Sequence, residues 1–212
     1  MSRLYKLFVV SLLAGLVGAI KPCCVSKKWT GKLRITTASV ASGSTIPVIS
    51  ENVLMFDYDH DMKMEKAVGR IVTYNGSMET TQEYTVYNDY RHMRKYAMTP
   101  DSNACHIQPL LGEQTEPCVP STLKWAGNYT LGSTSEGVHV NAWSGDYENS
   151  HYEMLTTVND CTPVEMTVFG TMPDGTRVST QTVFVDVTQY MTSPGALNIP
   201  DMCKTGGAPI GK

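Results

Sequence analysis

Apolar and polar residues alternate along most of this chain in short runs, and turn residues separate the runs. Leu33, Ile35 and Thr37 alternate with Arg34 and Thr36, and Tyr84 and Val86 with Thr85 and Tyr87. Val138, Val140 and Ala142 face one way if His139, Asn141 and Trp143 face the other. Val164, Met166 and Val168 alternate with Glu165, Thr167 and Phe169; Val183, Val185 and Val187 alternate with Thr182, Phe184 and Asp186. A period of two marks a strand with one face buried. Pro173-Asp174-Gly175 predicts a hairpin joining strands near 163–172 and 176–189. Asp59-His60-Asp61 separates a strand over 53–58 from one beginning near Met62, and Ser144-Gly145-Asp146 predicts the end of the strand that holds Trp143. Residues 99–122 differ. Pro100, Pro109, Pro117 and Pro120 interrupt them, which predicts a long irregular crossing with room for one short helix. No stretch shows a sustained helical stripe. About nine or ten strands in one domain imply two packed antiparallel sheets or a wide, open barrel, and the pattern alone does not choose.

The amino terminus carries Arg3 and Lys6, then an apolar run from Leu7 to Val17 that closes on Gly18 and Ala19. Those flanks predict a signal peptide over 1–19, cleaved after Ala19; the run is shorter than the roughly 20 apolar residues of a membrane span. Residues 20–212 then form a single β domain, with a patternless tail over 205–212. Removing the two positive charges of the signal takes the net charge from −3 to −5. A mildly acidic chain with no basic run excludes nucleic acid as a partner and excludes electrostatic docking on anionic lipid. Secretion places Cys23, Cys24, Cys105, Cys118, Cys161 and Cys203 where thiols oxidise, so they read as disulfide partners. Two glycosylation sequons follow, at Asn75 and Asn128. Asn128 lies in a polar connection; Asn75 falls in a tight turn open to type I′ geometry.

Motifs that carry chemistry are sparse. The chain has no G-x-S-x-G elbow, no H-E-x-x-H and no glycine-rich phosphate loop. His60, His92, His106, His139 and His151 are scattered, so a hydrolase would need a triad assembled in space. Asp57, Asp59 and Asp61, with Glu65 beyond, suggest calcium, but Met62 and Val68 stand where an EF-hand needs Gly and Glu. A solvated hairpin turn accounts for the same residues without an ion.

A second signal lies in the order and spacing of particular residues. Cys23 stands six positions before Trp29-Thr30-Gly31; Leu54–Asp59 (LMFDYD), Cys105 and Leu131-Gly132-Ser133 follow. Val140-Asn141-Ala142-Trp143-Ser144-Gly145 precedes Asn159-Asp160-Cys161-Thr162-Pro163-Val164, and Cys203 closes the series after Pro194 and Pro200. From Cys23 to Cys203 the chain resembles the ependymin-related proteins. That resemblance implies two stacked antiparallel sheets forming an open half-shell, similar to bacterial lipoprotein carriers, with an apolar pocket for a hydrophobic, lipid-like ligand. It implies a secreted, homodimeric glycoprotein that is also found in lysosomes in some members, that binds calcium and that touches extracellular-matrix components. It also implies the bridges Cys23–Cys161 and Cys105–Cys203 and leaves Cys24 for Cys118; an exchange of Cys23 and Cys24 stays open.

The reading is therefore a non-enzymatic binding protein, with a calcium-linked matrix adhesion protein and a secreted hydrolase as alternatives. Candidate pocket walls are Leu33, Ile35, Phe56, Val138, Val140, Val168, Phe184 and Val185, each of which could equally be inter-sheet core. Phe184 and Val185 cannot both point inward on a regular strand.

Overall fold

A computed structural model describes residues 21–100, 104–147, 149–191, 193 and 195–204 of the protein. The signal expected over 1–19 and the tail over 205–212 lie outside the described residues. Eleven strands form: β1 (Lys28–Val40), β2 (Val48–Asp59), β3 (Met64–Asn75), β4 (Met78–Asp89), β5 (Arg94–Met98), β6 (Cys105–Pro109), β7 (Lys124–Leu131), β8 (Val138–Tyr147), β9 (Ser150–Thr157), β10 (Pro163–Thr171) and β11 (Arg177–Thr188). Among the described residues one short helix, α1, covers Asp201–Lys204. Every pairing is antiparallel, and the strands run in the order β6-β5-β4-β3-β2-β1-β11-β10-β9-β8-β7. The all-β, antiparallel fold read from the alternation is present, and so is the open form that the resemblance implies. The two sheets are continuous, because β1 pairs with β11 from Thr30↔Thr188 to Val40↔Arg177.

Two meanders meet at that seam. The chain winds outward from β1 to β6, crosses to the far edge as residues 110–123, and winds back from β7 to β11. Laid flat, the outer strands would stand roughly 48 Å apart, at about 4.8 Å per spacing. Residues 110–123 reach about 46–50 Å only when fully extended. They are not extended: Gly112 has φ 82°, and the Leu123 N–H turns back to the Pro120 carbonyl at 3.0 Å. The sheet therefore curls toward the face that this strap crosses.

The register assigns side chains to the two faces. Trp29, Leu33 and Ile35 share the strap face with Leu54, Phe56 and Tyr58, with Glu65 and Ala67, and across the seam with Phe184 and Thr182. Met166, Met154 and Trp143 continue the same face to β8. Trp29, Leu33, Leu54 and Tyr58 form one buried cluster here; Val119 and Leu123 from the strap form another with Trp143 and Cys161. The opposite face is covered at its β4–β6 end by the carboxy-terminal segment, where Ile199 and Cys203 pack on Tyr87 and Tyr96.

Four expectations about breaks change. The irregular crossing expected over 99–122 contains a strand, β6, which pairs with β5 despite Pro109 at its end, and the crossing shortens to 110–123. The strand holding Trp143 does not end at Ser144-Gly145-Asp146; β8 continues to Tyr147. Gly145 is needed there because a Cβ would stand 2.8 Å from the Thr122 carbonyl of the strap. Asn128 lies within the edge strand β7 rather than in a connection, and it is exposed. In the Asn75 hairpin the positive φ falls on Gly76 at 60° and not on Ser77, the placement of a type II′ turn.

Candidate functional site

Under the strap lies a pocket of about 370 Å³. Its floor is the middle of the sheet, from Glu65 on β3 through Phe56 and Tyr58, Trp29, Leu33 and Ile35, then Thr182 and Phe184, to Met166 and Met154. Its roof is Thr115–Pro120, with Val25 and Cys161 at the side. That volume and lining suit a small apolar molecule. The aromatic rings are mutually packed: Trp29 lies 5.2 Å from Phe56, 5.8 Å from Tyr58 and 6.3 Å from Phe184, centroid to centroid.

The roof is tied at both ends. Gln114 is buried, and its amide donates to the carbonyls of Asp59 (3.4 Å) and Met64 (3.2 Å), where β2 turns into β3. The Tyr58 hydroxyl donates to the Thr115 carbonyl at 2.6 Å. That hydroxyl is therefore an acceptor for His60 Nδ1 at 3.1 Å, and Lys63 Nζ donates to the other ring nitrogen at 3.1 Å. Farther on, residues 117–119 bridge to 23–25: Val25 N–H donates to the Pro117 carbonyl, and Val119 N–H to the Cys23 carbonyl. Disulfides Cys24–Cys118 and Cys23–Cys161 clamp the same place to the sheet, and Cys105–Cys203 holds the carboxy-terminal segment on the other face. Cys23 is thus bonded to Cys161 and Cys24 to Cys118.

Of the candidate walls, Leu33, Ile35, Phe56 and Phe184 line the pocket. Val168 shares their face but sits one row beyond. Val138, Val140 and Val185 are on the opposite face, because the register pairs them out of phase with Trp143 and Phe184. Val138 and Val185 are exposed, whereas Val140 is fully buried away from the pocket. Alternation alone overlooked Trp29, Tyr58, Met154, Met166 and the roof. Tyr58 was detectable as the third step of the series Leu54, Phe56, Tyr58.

Asp59 and Asp61 converge on a lysine, Lys28 Nζ at 3.2 and 4.0 Å, and not on an open cation site. Asp57 is opposite Lys66 within the ladder. Asp59 is buried, held by Lys28 Nζ at 3.2 Å and by the Met62 N–H at 2.8 Å; Asp61 faces Lys27 at 3.5 Å. Among the described residues no group of His, Cys, Asp and Glu is arranged to hold a metal.

Among the described residues two carboxylates border the pocket, Glu65 and Glu116, and no Lys, Arg or His does. Glu65 is buried, and its Oε2 accepts from Asn88 Nδ2 (3.2 Å) and the Tyr90 hydroxyl (3.0 Å). Burial, then the Glu65 charge, push Tyr90 above the ordinary phenol range; burial, Glu65 and Glu116 do the same to Tyr58.

The opposite face holds the one near-match to a hydrolytic triad that these strands build. Ser144 Oγ lies 3.2 Å from His151 Nε2, and His151 Nδ1 lies 2.7 Å from Asp146 Oδ1. The connectivity is right and the setting is wrong. The Asp146 side chain is 82% exposed, where a triad needs a buried carboxylate. Glu153 also reaches His151 Nε2, at 3.8 Å. Ser144 sits mid-strand between Lys124 and Glu153, so neighbouring amides serve the ladder and not an oxyanion. The arrangement is a cross-strand polar ladder beside an open concavity of about 740 Å³.

The family model for ependymin matches residues 78–203, more than half of the chain. The match begins at β4, so the pocket walls on β1–β3 lie before it. No curated protein matches the chain in sequence. Among solved structures, the crystal structure of a DUF1329 family protein from Desulfovibrio piger ATCC 29098 aligns over 91% of this chain and 94% of its own, at 8% identity and a TM-score of 0.30. That overlap is too loose to argue from.

Proposed function

This chain belongs to the ependymin family, and we propose that it is a secreted, non-enzymatic carrier that buries a hydrophobic, lipid-like ligand in the pocket beneath the strap. The observation that supports this is the roofed pocket itself, whose floor joins Trp29, Leu33, Ile35, Phe56, Phe184 and Met166 into one apolar surface. Each buried methylene contributes roughly 0.8 kcal/mol, so a modest chain binds tightly with no chemistry at the site. Secretion, glycans at the exposed Asn128 and Asn75, and pairing of two copies belong to the same reading.

The test is titration of the folded protein with a fluorescent lipid probe, alongside mass spectrometry of its organic extract. Wild type is expected to bind at micromolar concentration or better. Ile35→Trp fills the pocket from its floor and is expected to weaken uptake more than about tenfold while secretion continues. Failure of every apolar probe, with an empty extract, would sink the carrier reading. Hydrolysis of an ester that disappears in Ser144→Ala would replace it with the polar ladder of β8 and β9.

A further inference from the structure

The pocket's charge is one-sided. Its apolar lining includes Glu65 and Glu116, and among the described residues no Lys, Arg or His lines it with them. Glu116 is mostly exposed and lies 3.5 Å from His60 at the rim. Glu65 is different. It is buried, and no ion pair reaches it among the described residues. The next residue, Lys66, points to the opposite face, its Nζ 5.4 Å from the Tyr87 ring. Both donors that reach Glu65 arrive at Oε2; Oε1 accepts no hydrogen bond among the described residues. A buried charge is ordinarily paired, because leaving it unpaired is costly.

We propose that the ligand is an organic cation with an apolar chain, its ammonium head received by Glu65 beside the Tyr58 and Trp29 rings. The inference rests on the carrier reading and adds the class of head group. A protonated amine would donate to Glu65 Oε1 in a charge-assisted hydrogen bond. Tyr58 is paired with Glu65 across β2 and β3, and Trp29 stacks on it at 5.8 Å, so aromatic faces that attract cations border the same spot. A fatty carboxylate at that place would set two like charges close together in a desolvated site, which disfavours it.

The experiment is calorimetric titration of the folded, disulfide-intact protein with two sub-micellar amphiphiles of equal chain length. One is a primary alkylammonium and the other a fatty carboxylate. The alkylammonium is expected to bind at least about tenfold tighter. Glu65→Gln keeps an acceptor for Asn88 and Tyr90 and should bring the two within about threefold. Attraction by the chain's overall negative charge fades with salt, whereas a buried pair is screened much less; the preference should therefore survive raised ionic strength. Equal or tighter carboxylate binding overturns the inference and leaves the carrier reading standing. So does a preference that salt abolishes, or one that Glu65→Gln leaves unchanged. If neither amphiphile binds, this inference has failed, and the carrier reading falls with it when every other apolar probe fails too and the extract is empty. Should Glu65→Gln not fold, the wild-type comparison at two salt concentrations still decides.

Discussion

One segment covers each face of the sheet, and the two covers differ in what they leave beneath them. The carboxy-terminal segment packs Ile199 on Tyr87 and Tyr96 with Leu197 and Cys203 buried, and the hollows it borders, of about 540 and 410 Å³, are lined by charged side chains such as Lys28, Asp59, Asp89 and Arg91, whereas the strap's is apolar. The strap over 110–123 leaves a pocket of about 370 Å³. Composition does not explain this, since both segments carry prolines and apolar side chains. Topology does. The strap must reach from β6 to β7, so its ends are fixed by Gln114 and Thr115 at one side and by Val119 and Leu123 at the other. A segment held at both ends over a curled sheet bridges the hollow. The carboxy-terminal segment is likewise held at both ends, at Gln189 and at Cys203, but it runs along the charged β2–β3 and β4–β5 turns, so the hollows it borders are polar.

The sharpest way to break that comparison is to cut each tether. Cys105 and Cys203 are 98 positions apart and Cys24 and Cys118 are 94 apart, so chain entropy alone predicts similar losses, on the order of 3–5 kcal/mol each. The covers predict a difference. Replacing Cys105 and Cys203 by Ala should lower stability by the full amount and leave probe affinity within about twofold, because the pocket is on the other face. Replacing Cys24 and Cys118 should cost less, since Cys23–Cys161 still holds residue 23, but it should weaken probe binding by about tenfold or more as the roof loosens. Denaturation curves and titrations on the two double variants decide it. Equal effects on binding would mean that the strap is no roof.

Single truncations sharpen the comparison at smaller scale. Trp143 is 1% exposed, packs with Val119 and Leu123, and donates from Nε1 to the Thr156 hydroxyl at 3.0 Å. Trp143→Ala should cost about 3–5 kcal/mol and also weaken probe binding, because the far end of the strap loses its seat. Leu197→Ala should cost about 2–5 kcal/mol, with probe affinity unchanged. Urea unfolding of both, with binding measured below the transition, separates a local cover from a functional one.

How much of this was legible beforehand follows from what alternation encodes. A period of two reports that a strand has two unlike faces, and the turn chemistry of Pro173-Asp174-Gly175 placed the hairpin between what are now β10 and β11. It does not report which face meets a cover. Phe184 and Val185 are equally apolar, and only the position of the strap makes Phe184 a pocket wall and Val185 surface. Gly145 reads as a turn because local chemistry says so, while its real constraint is the Thr122 carbonyl arriving from 23 residues away in the chain. Asp59 reads as a solvated turn residue, and it is buried with a Lys28 partner. Glu65 was noticed only as a neighbour of three aspartates. Its isolation in an apolar pocket depends on strands β1, β9, β10 and β11 brought beside it by pairings that no local pattern contains.

The smallest effect lies where the two covers meet. The turn after β9 carries Cys161, which anchors the strap side through Cys23, and it holds a φ of 58° at that residue. Asp160 organises the turn. Its carboxylate accepts from the Thr157 hydroxyl and, at 3.3 Å, from the Thr162 N–H. It also accepts from Gln189 Nε2 at 3.2 Å, where the chain leaves β11 for the carboxy-terminal cover. The Thr157 hydrogen bond, followed by those from Thr162, holds the Asp160 carboxyl below its ordinary range despite partial desolvation. A depressed folded pKa means that this contribution is present above the unfolded value of about 4 and is lost as pH falls through the folded one. The group is largely exposed, so screening keeps its worth below about 1 kcal/mol. Asp160→Asn should accordingly be slightly less stable than wild type at pH 7, and the gap should close as pH drops below about 4. A gap that stays constant between neutral and acid pH would show that Asp160 acts there by shape and not by charge.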